Sequence, residues 1–79
     1  MFQMTVENAM VVNSAIVTVA GPCVNRLMFT SSLLDDYGNV YAASIPLDAT
    51  LIHDDAQIVL ELRGAVNAES LVGRILKSA

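Results

Sequence analysis

Residues 25–46 carry the clearest local signal in the chain, a β-hairpin built around a tight turn at its centre. Asp35 suits the first position of a type I turn, because its carboxylate accepts hydrogen bonds from the backbone N–H groups that follow. Gly38 suits the position with positive φ that closes a three-residue hairpin loop, since glycine adopts that conformation without steric cost. The flanking residues are the β-branched and aromatic types that favour strands: Phe29, Thr30, Val40, Tyr41 and Ile45.

A helix is the alternative structure for the first half of this stretch. Gly21-Pro22 is typical of a helix start, Gly38 is typical of a helix end, and part of the apolar pattern between them has helical spacing. Against this, Phe29-Thr30-Ser31-Ser32 has low helix propensity in what would be mid-helix. The hairpin is therefore the favoured interpretation.

Two further segments predict strands. Residues 10–19 are rich in β-prone side chains, but Asn13-Ser14 interrupts the alternation, either as a tight turn between two strands or as a bulge within one. We expect Gly21-Pro22 to end this element. Gln57–Arg63 alternates strictly, with its apolar residues on one face: Ile58, Leu60 and Leu62.

The two ends of the chain are less clearly determined. Residues 1–7 predict a frayed start or a short edge strand, and residues 50–52 a short strand or a single turn. Residues 70–77 have apolar side chains at helical spacing, with Asn67 as an N-cap, and so favour a helix. Gly73 weakens that helix by about 1 kcal/mol relative to alanine, so a final strand stays open as the alternative.

The elements together predict an α+β fold that is mostly antiparallel β. We expect a small curved sheet or partly open barrel with a C-terminal helix, in one domain that spans all 79 residues. The number and spacing of the elements resemble the layout of an OB-type barrel, as an arrangement of elements only.

Composition indicates that the chain associates with further copies of itself or with another protein. Hydrophobic residues make up 54% of the chain and charged residues 15%, and a domain of this size cannot hide so much apolar surface in its own core. The lone Cys23 excludes an internal disulfide, and one cysteine with one histidine cannot supply four zinc ligands. We therefore expect a homo-oligomer, a dimer or larger, or a module that docks on a protein partner.

Charge and hydropathy exclude other partners. The net charge is −4 and the four basic residues are scattered, whereas nucleic-acid binding normally depends on a basic patch, so a nucleic-acid partner is not expected. The apolar run over residues 9–20 is too short to span a membrane, and no basic residue precedes it as in a signal peptide. With a single cysteine, the cytoplasm is the expected compartment.

No pattern in the sequence predicts catalysis. His53, Asp54 and Asp55 are adjacent, and neighbours on an extended chain point to opposite sides, so we interpret them as a solvated loop. Cys23 has no basic neighbour in the sequence to form a thiolate, and we interpret it as a small buried hydrophobe. We therefore expect no enzyme, no cofactor and no metal site.

The expected function is a non-catalytic protein–protein interaction or assembly module of the accessory or inhibitor type, viral ones included, acting through an apolar sheet face or edge. The alternative is an OB-like single-stranded nucleic-acid-binding protein, in which aromatic side chains stack on bases and arginines contact the backbone. The candidate interaction residues for the two functions are Arg26, Met28, Phe29, Tyr37, Tyr41 and Arg63.

Overall fold

Seven antiparallel strands and one short helix make up residues 1–47, 57–64 and 67–78, the part of the chain that the computed structural model describes. The elements are β1 Gln3–Thr5, β2 Asn8–Asn13, β3 Ile16–Val24, β4 Ser32–Leu34, β5 Val40–Ser44, β6 Gln57–Arg63, α1 Ala68–Leu71 and β7 Ile75–Ser78. A 3-10 turn at Arg26–Met28 follows β3.

Six of the strands close into a barrel in the order β1-β7-β4-β5-β6-β3, and β3 pairs back onto β1. The remaining strand, β2, pairs with β3 beyond the point where β1 leaves it. The predicted α+β, mostly antiparallel barrel with a C-terminal helix is confirmed. The barrel is closed rather than partly open, and it has one strand more than the five of an OB-fold.

The barrel interior is filled by alternate residues of the strands. On β6 the predicted alternation is confirmed, since Ile58, Leu60 and Leu62 are fully buried. The rest of the core comes from the other barrel strands and from the helix, and its largest members are Phe2, Met4, Val6, Val19, Leu33, Leu71 and Leu76. Burial of these side chains is the main stabilising contribution to a domain of this size.

The predicted central hairpin is formed by β4 and β5, with Leu34 opposite Val40. The N–H of Gly38 donates to the carbonyl oxygen of Asp35 at 3.1 Å, and Gly38 has φ of 86°, as a type I turn closed by a left-handed glycine requires. The helix alternative is wrong for this hairpin. The strand expected around Arg26–Met28 is also wrong, because a 3-10 turn occupies that place.

Two expectations about the N-terminal half need correction. Gly21-Pro22 does not end the element, because β3 continues to Val24. Gly21 serves close approach instead, since a Cβ on it would overlap the carbonyl oxygen of Thr5 on β1. Residues 1–7 are neither frayed nor an edge, because β1 lies between β3 and β7 and closes the barrel.

The tight-turn interpretation of residues 13–14 is confirmed, with the turn one residue later than predicted. The β2–β3 hairpin reverses at Ser14 and Ala15, and the Oδ1 of Asn13 accepts a hydrogen bond from the N–H of Ala15 at 2.8 Å. The register also shifts between Val11 and Asn13, as in a β-bulge.

At the C-terminus the helix and the final strand, the two alternatives for residues 70–77, each form over part of the segment. Asn67 caps α1 as predicted, and its side chain accepts from the N–H of Glu69 at 3.1 Å. The helix ends at Leu71, and Gly73, with φ of 86°, donates its N–H to the carbonyl oxygen of Val6 at 2.8 Å. Pairing with β1 thus converts the rest of the segment into β7. The predictions for residues 50–52 and 53–55 lie outside the described residues.

Candidate functional site: the open edge of β2

Three consecutive apolar residues on β2 are exposed to solvent. The exposed fractions are 65% for Met10, 59% for Val11 and 57% for Val12. Neighbours on a strand point to opposite faces, so both faces of β2 are apolar and uncovered over these three residues. A shallow groove continues from Met10 over the outer face of the adjoining strands, lined by Asn8, Ala9, Thr18, Ala20 and Val59.

The position of β2 follows from where the barrel closes. β1 has a strand on each side, and its pairing with the β7 side ends where the N–H of Val6 donates to the carbonyl oxygen of Arg74 at 2.9 Å. After Glu7 the polypeptide continues along β3 as β2. The segment that precedes β7 turns away from the sheet as α1, which packs beside β2. Among the described residues, no strand pairs with the second edge of β2.

Two backbone hydrogen bonds determine which groups of β2 point to that open edge. The carbonyl oxygen of Ala20 accepts from the N–H of Glu7 at 2.9 Å, and that of Ala15 accepts from Gly64 on the β6 side at 3.1 Å. Even-numbered residues of β3 therefore direct their backbone groups toward β2, so Met10, opposite Thr18, uses its own groups on β3. The N–H and C=O of Val11 point the other way, to the open edge.

The open edge has only one of the usual protections against pairing, the bulge near its hairpin end. Natural edge strands are guarded by lysine, proline, inward-pointing charge or bulges. Asn8–Asn13 contains no charged residue and no proline, and its one irregularity is the register shift near its end. A strand of this kind is a template for pairing with another strand, with main-chain hydrogen bonds and alternate side chains as the recognition elements.

Three of the predicted interaction residues lie at the end of the barrel where β3 ends and β6 begins. Met28 is 58% exposed on the 3-10 turn. Phe29 is half-buried and contacts Phe2 edge to face, with ring centroids 5.4 Å apart. The Nη1 of Arg26 donates to the carbonyl oxygen of Gln57 at 3.1 Å.

The other three lie at the opposite end, since Arg63 is the last residue of β6 and pairs with Ala42 of β5. Tyr37 is 72% exposed, with the Arg74 guanidinium 3.6 Å from its ring centroid. The Tyr41 hydroxyl donates to Oδ2 of Asp35 at 2.8 Å. The structure therefore divides the six predicted residues between two ends of the barrel and does not bring them together on one surface.

Asp35 is a buried carboxylate with a structural role. It accepts hydrogen bonds from the backbone N–H groups of Tyr37 and Asn39, from the Asn39 side chain and from the Tyr41 hydroxyl, at 2.8–3.0 Å. Burial by itself raises the pKa of Asp35, but these hydrogen bonds outweigh it and lower the pKa to about 2. Burial and the Asp35 carboxylate together raise the pKa of Tyr41. The Asp35 carboxylate thus stabilises the hairpin turn, and it is ionised at neutral pH and cannot act as an acid.

Within the described ranges, no group of three or more His, Cys, Asp or Glu side chains is placed to hold a metal ion. Cys23 is half-buried on β3, opposite Met4. No helix in the part of the chain that the structure describes is long and apolar enough to cross a membrane.

Sequence reasoning missed β2 as a site. The signal was present in Met10-Val11-Val12, because three consecutive large apolar residues in a strand cannot all face one core. The sequence predicts a hairpin or one long strand over residues 10–19 and does not say which side of the core it lies on. The sequence does not show that the barrel closes on β1 and leaves β2 outside.

Comparisons with known proteins give no relative for this chain: no family model, no curated protein and no solved structure matches it.

Proposed function

We propose that this chain is a non-catalytic protein–protein association module whose docking element is the open edge of β2. The observation that carries the proposal is the exposure of Met10, Val11 and Val12 on an uncharged strand with one unpaired edge among the described residues. Runs of exposed apolar residues lower solubility unless they serve an interface. Such a module takes part in an assembly or regulates a larger partner as an accessory or inhibitor protein.

The remaining properties of the proposal rest on composition. The excess of apolar residues favours a homo-oligomer, and the lone cysteine favours the cytoplasm as the compartment. We propose no reaction and no cofactor, because the most perturbed described carboxylate, Asp35, is engaged by hydrogen bonds within its own turn.

Single-stranded nucleic-acid binding ranks second. Base stacking needs aromatic rings along one groove, whereas Phe29 packs on Phe2 at one end of the barrel and Tyr37 lies under Arg74 at the other. The net charge of −4 also opposes contact with phosphates.

The test compares two methionines of similar exposure, Met10 on β2 and Met28 on the 3-10 turn. Tagged wild type, Met10→Lys and Met28→Lys are used to capture proteins, further copies of this chain included, from a lysate that also contains the untagged chain. We expect Met10→Lys to lose a protein that wild type and Met28→Lys both retain, because a lysine on an edge strand opposes strand pairing. Identical sets of captured proteins for all three would overturn the proposal.

A further inference from the structure

We infer that the partner strand is β2 of a second copy of this chain, paired antiparallel about a two-fold axis that passes between the two Val11 residues. This inference rests on the proposed function and names the occupant of its docking edge. It makes the interface isologous, so that the same three residues meet on both copies.

Backbone geometry selects this axis. Val11 presents its N–H and C=O to the open edge, and a two-fold through it pairs the two Val11 residues through two reciprocal hydrogen bonds. The other candidate with the same orientation is Ala9, which is half-buried against the core on the part of β2 nearer to β1. Val11 is therefore the accessible position on which two copies centre.

The side chains are self-complementary in the same register. When Val11 lies opposite Val11 of the second copy, Met10 faces its Val12, the residue at the β-bulge, and Val12 faces its Met10. Residues directly opposite each other in antiparallel strands project on the same face, so each exposed apolar side chain of the three gains an apolar neighbour. A shift by one residue would set outer-face side chains against inner-face ones.

The charge of the strand is compatible with pairing to a second copy. Asn8–Asn13 carries no charge, so no like charges meet in the pairing itself. The antiparallel arrangement directs the Glu7 end of one strand toward the hairpin end of the other, where Arg63 pairs with Ile16. Both of these charged side chains are exposed and they are of opposite sign.

The interface is small, since it joins two short strands. Interfaces below about 1,200 Å² are typical of weak or transient complexes. We therefore expect a reversible dimer that forms in the micromolar range or above rather than a permanent one.

The first experiment is sedimentation velocity of the untagged full chain over a wide concentration series. It uses two valines with similar exposure, Val11 at 59% and Val40 at 61%. Wild type and Val40→Lys are expected to show the same monomer–dimer equilibrium. Val11→Lys is expected to weaken it by roughly tenfold or more, because two ammonium groups meet at the axis. Circular dichroism confirms that both variants keep the fold.

The second experiment fixes the register by disulfide formation in a Cys23→Ala background. Val11→Cys is expected to cross-link to itself, because Cα atoms of a hydrogen-bonded antiparallel pair lie about 5.5 Å apart, within the range of disulfides. Val40→Cys is the control and is expected to form no covalent dimer under the same oxidant. A mixture of Met10→Cys and Val12→Cys copies is expected to form the mixed dimer in preference to either homodimer.

The outcomes separate this inference from the proposed function. A monomer at every concentration, or a dimer that Val11→Lys leaves unchanged, would overturn self-pairing through β2. If Met10→Lys still lost a foreign protein in the capture experiment, the association function would stand with another strand as its occupant. If neither variant changed any association, both proposals would fall.

Discussion

β1 and β2 are consecutive pieces of one stretch of chain, both lie antiparallel on β3, and their side chains have opposite environments. Around β1, the apolar residues Phe2, Met4 and Val6 are at most 1% exposed. On β2, Met10 and Val11 are more than half exposed. Both segments are rich in apolar residues, so composition alone does not separate them.

The difference lies in what occupies the second edge of each strand. β7 covers β1, whereas the chain that would continue β7 alongside β2 turns at Gly73 into α1. A closed barrel removes its own edges, and any strand left outside it retains one. An apolar strand is therefore buried as core in one place and left exposed at an edge in the other.

The largest expected effect is on β1, the buried strand of the pair, and comes from a substitution at Gly21. Gly21→Ala places a Cβ against the backbone of Thr5, where β1 pairs with β3, so the two backbones must move apart. We expect a loss of about 3 kcal/mol or more in the free energy of unfolding, measured by urea denaturation. Gly38→Ala is the control, because its surroundings are open and only its positive φ opposes a side chain, at about 1 kcal/mol. Equal losses for the two variants would contradict close packing at Gly21.

A matched pair of methionines tests the comparison directly. Met4→Ala removes a buried side chain and should lower the free energy of unfolding by about 2–5 kcal/mol. Met10→Ala removes an exposed one and should change it by less than about 0.5 kcal/mol at a concentration where the chain is monomeric. A large loss for Met10→Ala in the monomer would mean that β2 is part of the folding core and not an available edge.

Features encoded by neighbouring residues were predictable, and features created by barrel closure were not. The Asp35–Gly38 turn and the alternation of β6 depend on local chemistry, and both are as predicted. The burial of β1 and the need for glycine at position 21 depend on strands that meet across the barrel. The run Met10-Val11-Val12 shows that some apolar side chains of this strand must be exposed, but only closure decides which strand is left outside the barrel.

A change of pH also distinguishes the β4–β5 hairpin from β2. The Asp35 carboxylate stabilises the hairpin only when it is ionised, whereas β2 carries no ionisable side chain. The pKa of Asp35 is about 2 in the folded chain against an ordinary value of 3.8. Its contribution is complete above about pH 5, where the carboxyl is ionised in both states, and is lost as the pH falls from about 5 to 2, because the unfolded chain takes up the proton first.

We expect that loss to be about 1–2 kcal/mol after allowance for solvent screening at the turn, measured by urea denaturation at a series of pH values. Asp35→Asn should remove this part of the pH dependence and lower stability at neutral pH. Asp36→Asn is the control, since its carboxylate is exposed and makes one ion pair with Arg74 at 3.4 Å. Equal pH profiles for Asp36→Asn and wild type, with a flattened profile for Asp35→Asn, are the expected pattern. A wild-type profile for Asp35→Asn would count against the lowered pKa.

The smallest expected effect is at the tip of the β2–β3 hairpin. Asn13→Ala removes the acceptor for the N–H of Ala15, but that N–H is exposed and water replaces the lost partner, so the free energy of unfolding should fall by about 0.5 kcal/mol. Asn67→Ala removes a helix cap next to the buried Ala68 and should cost about 1 kcal/mol. If Asn13→Ala proved the more costly of the two, the hairpin tip would be a stabilising part of the barrel. A small effect on stability, together with a weaker dimer, would assign the tip to association rather than to folding.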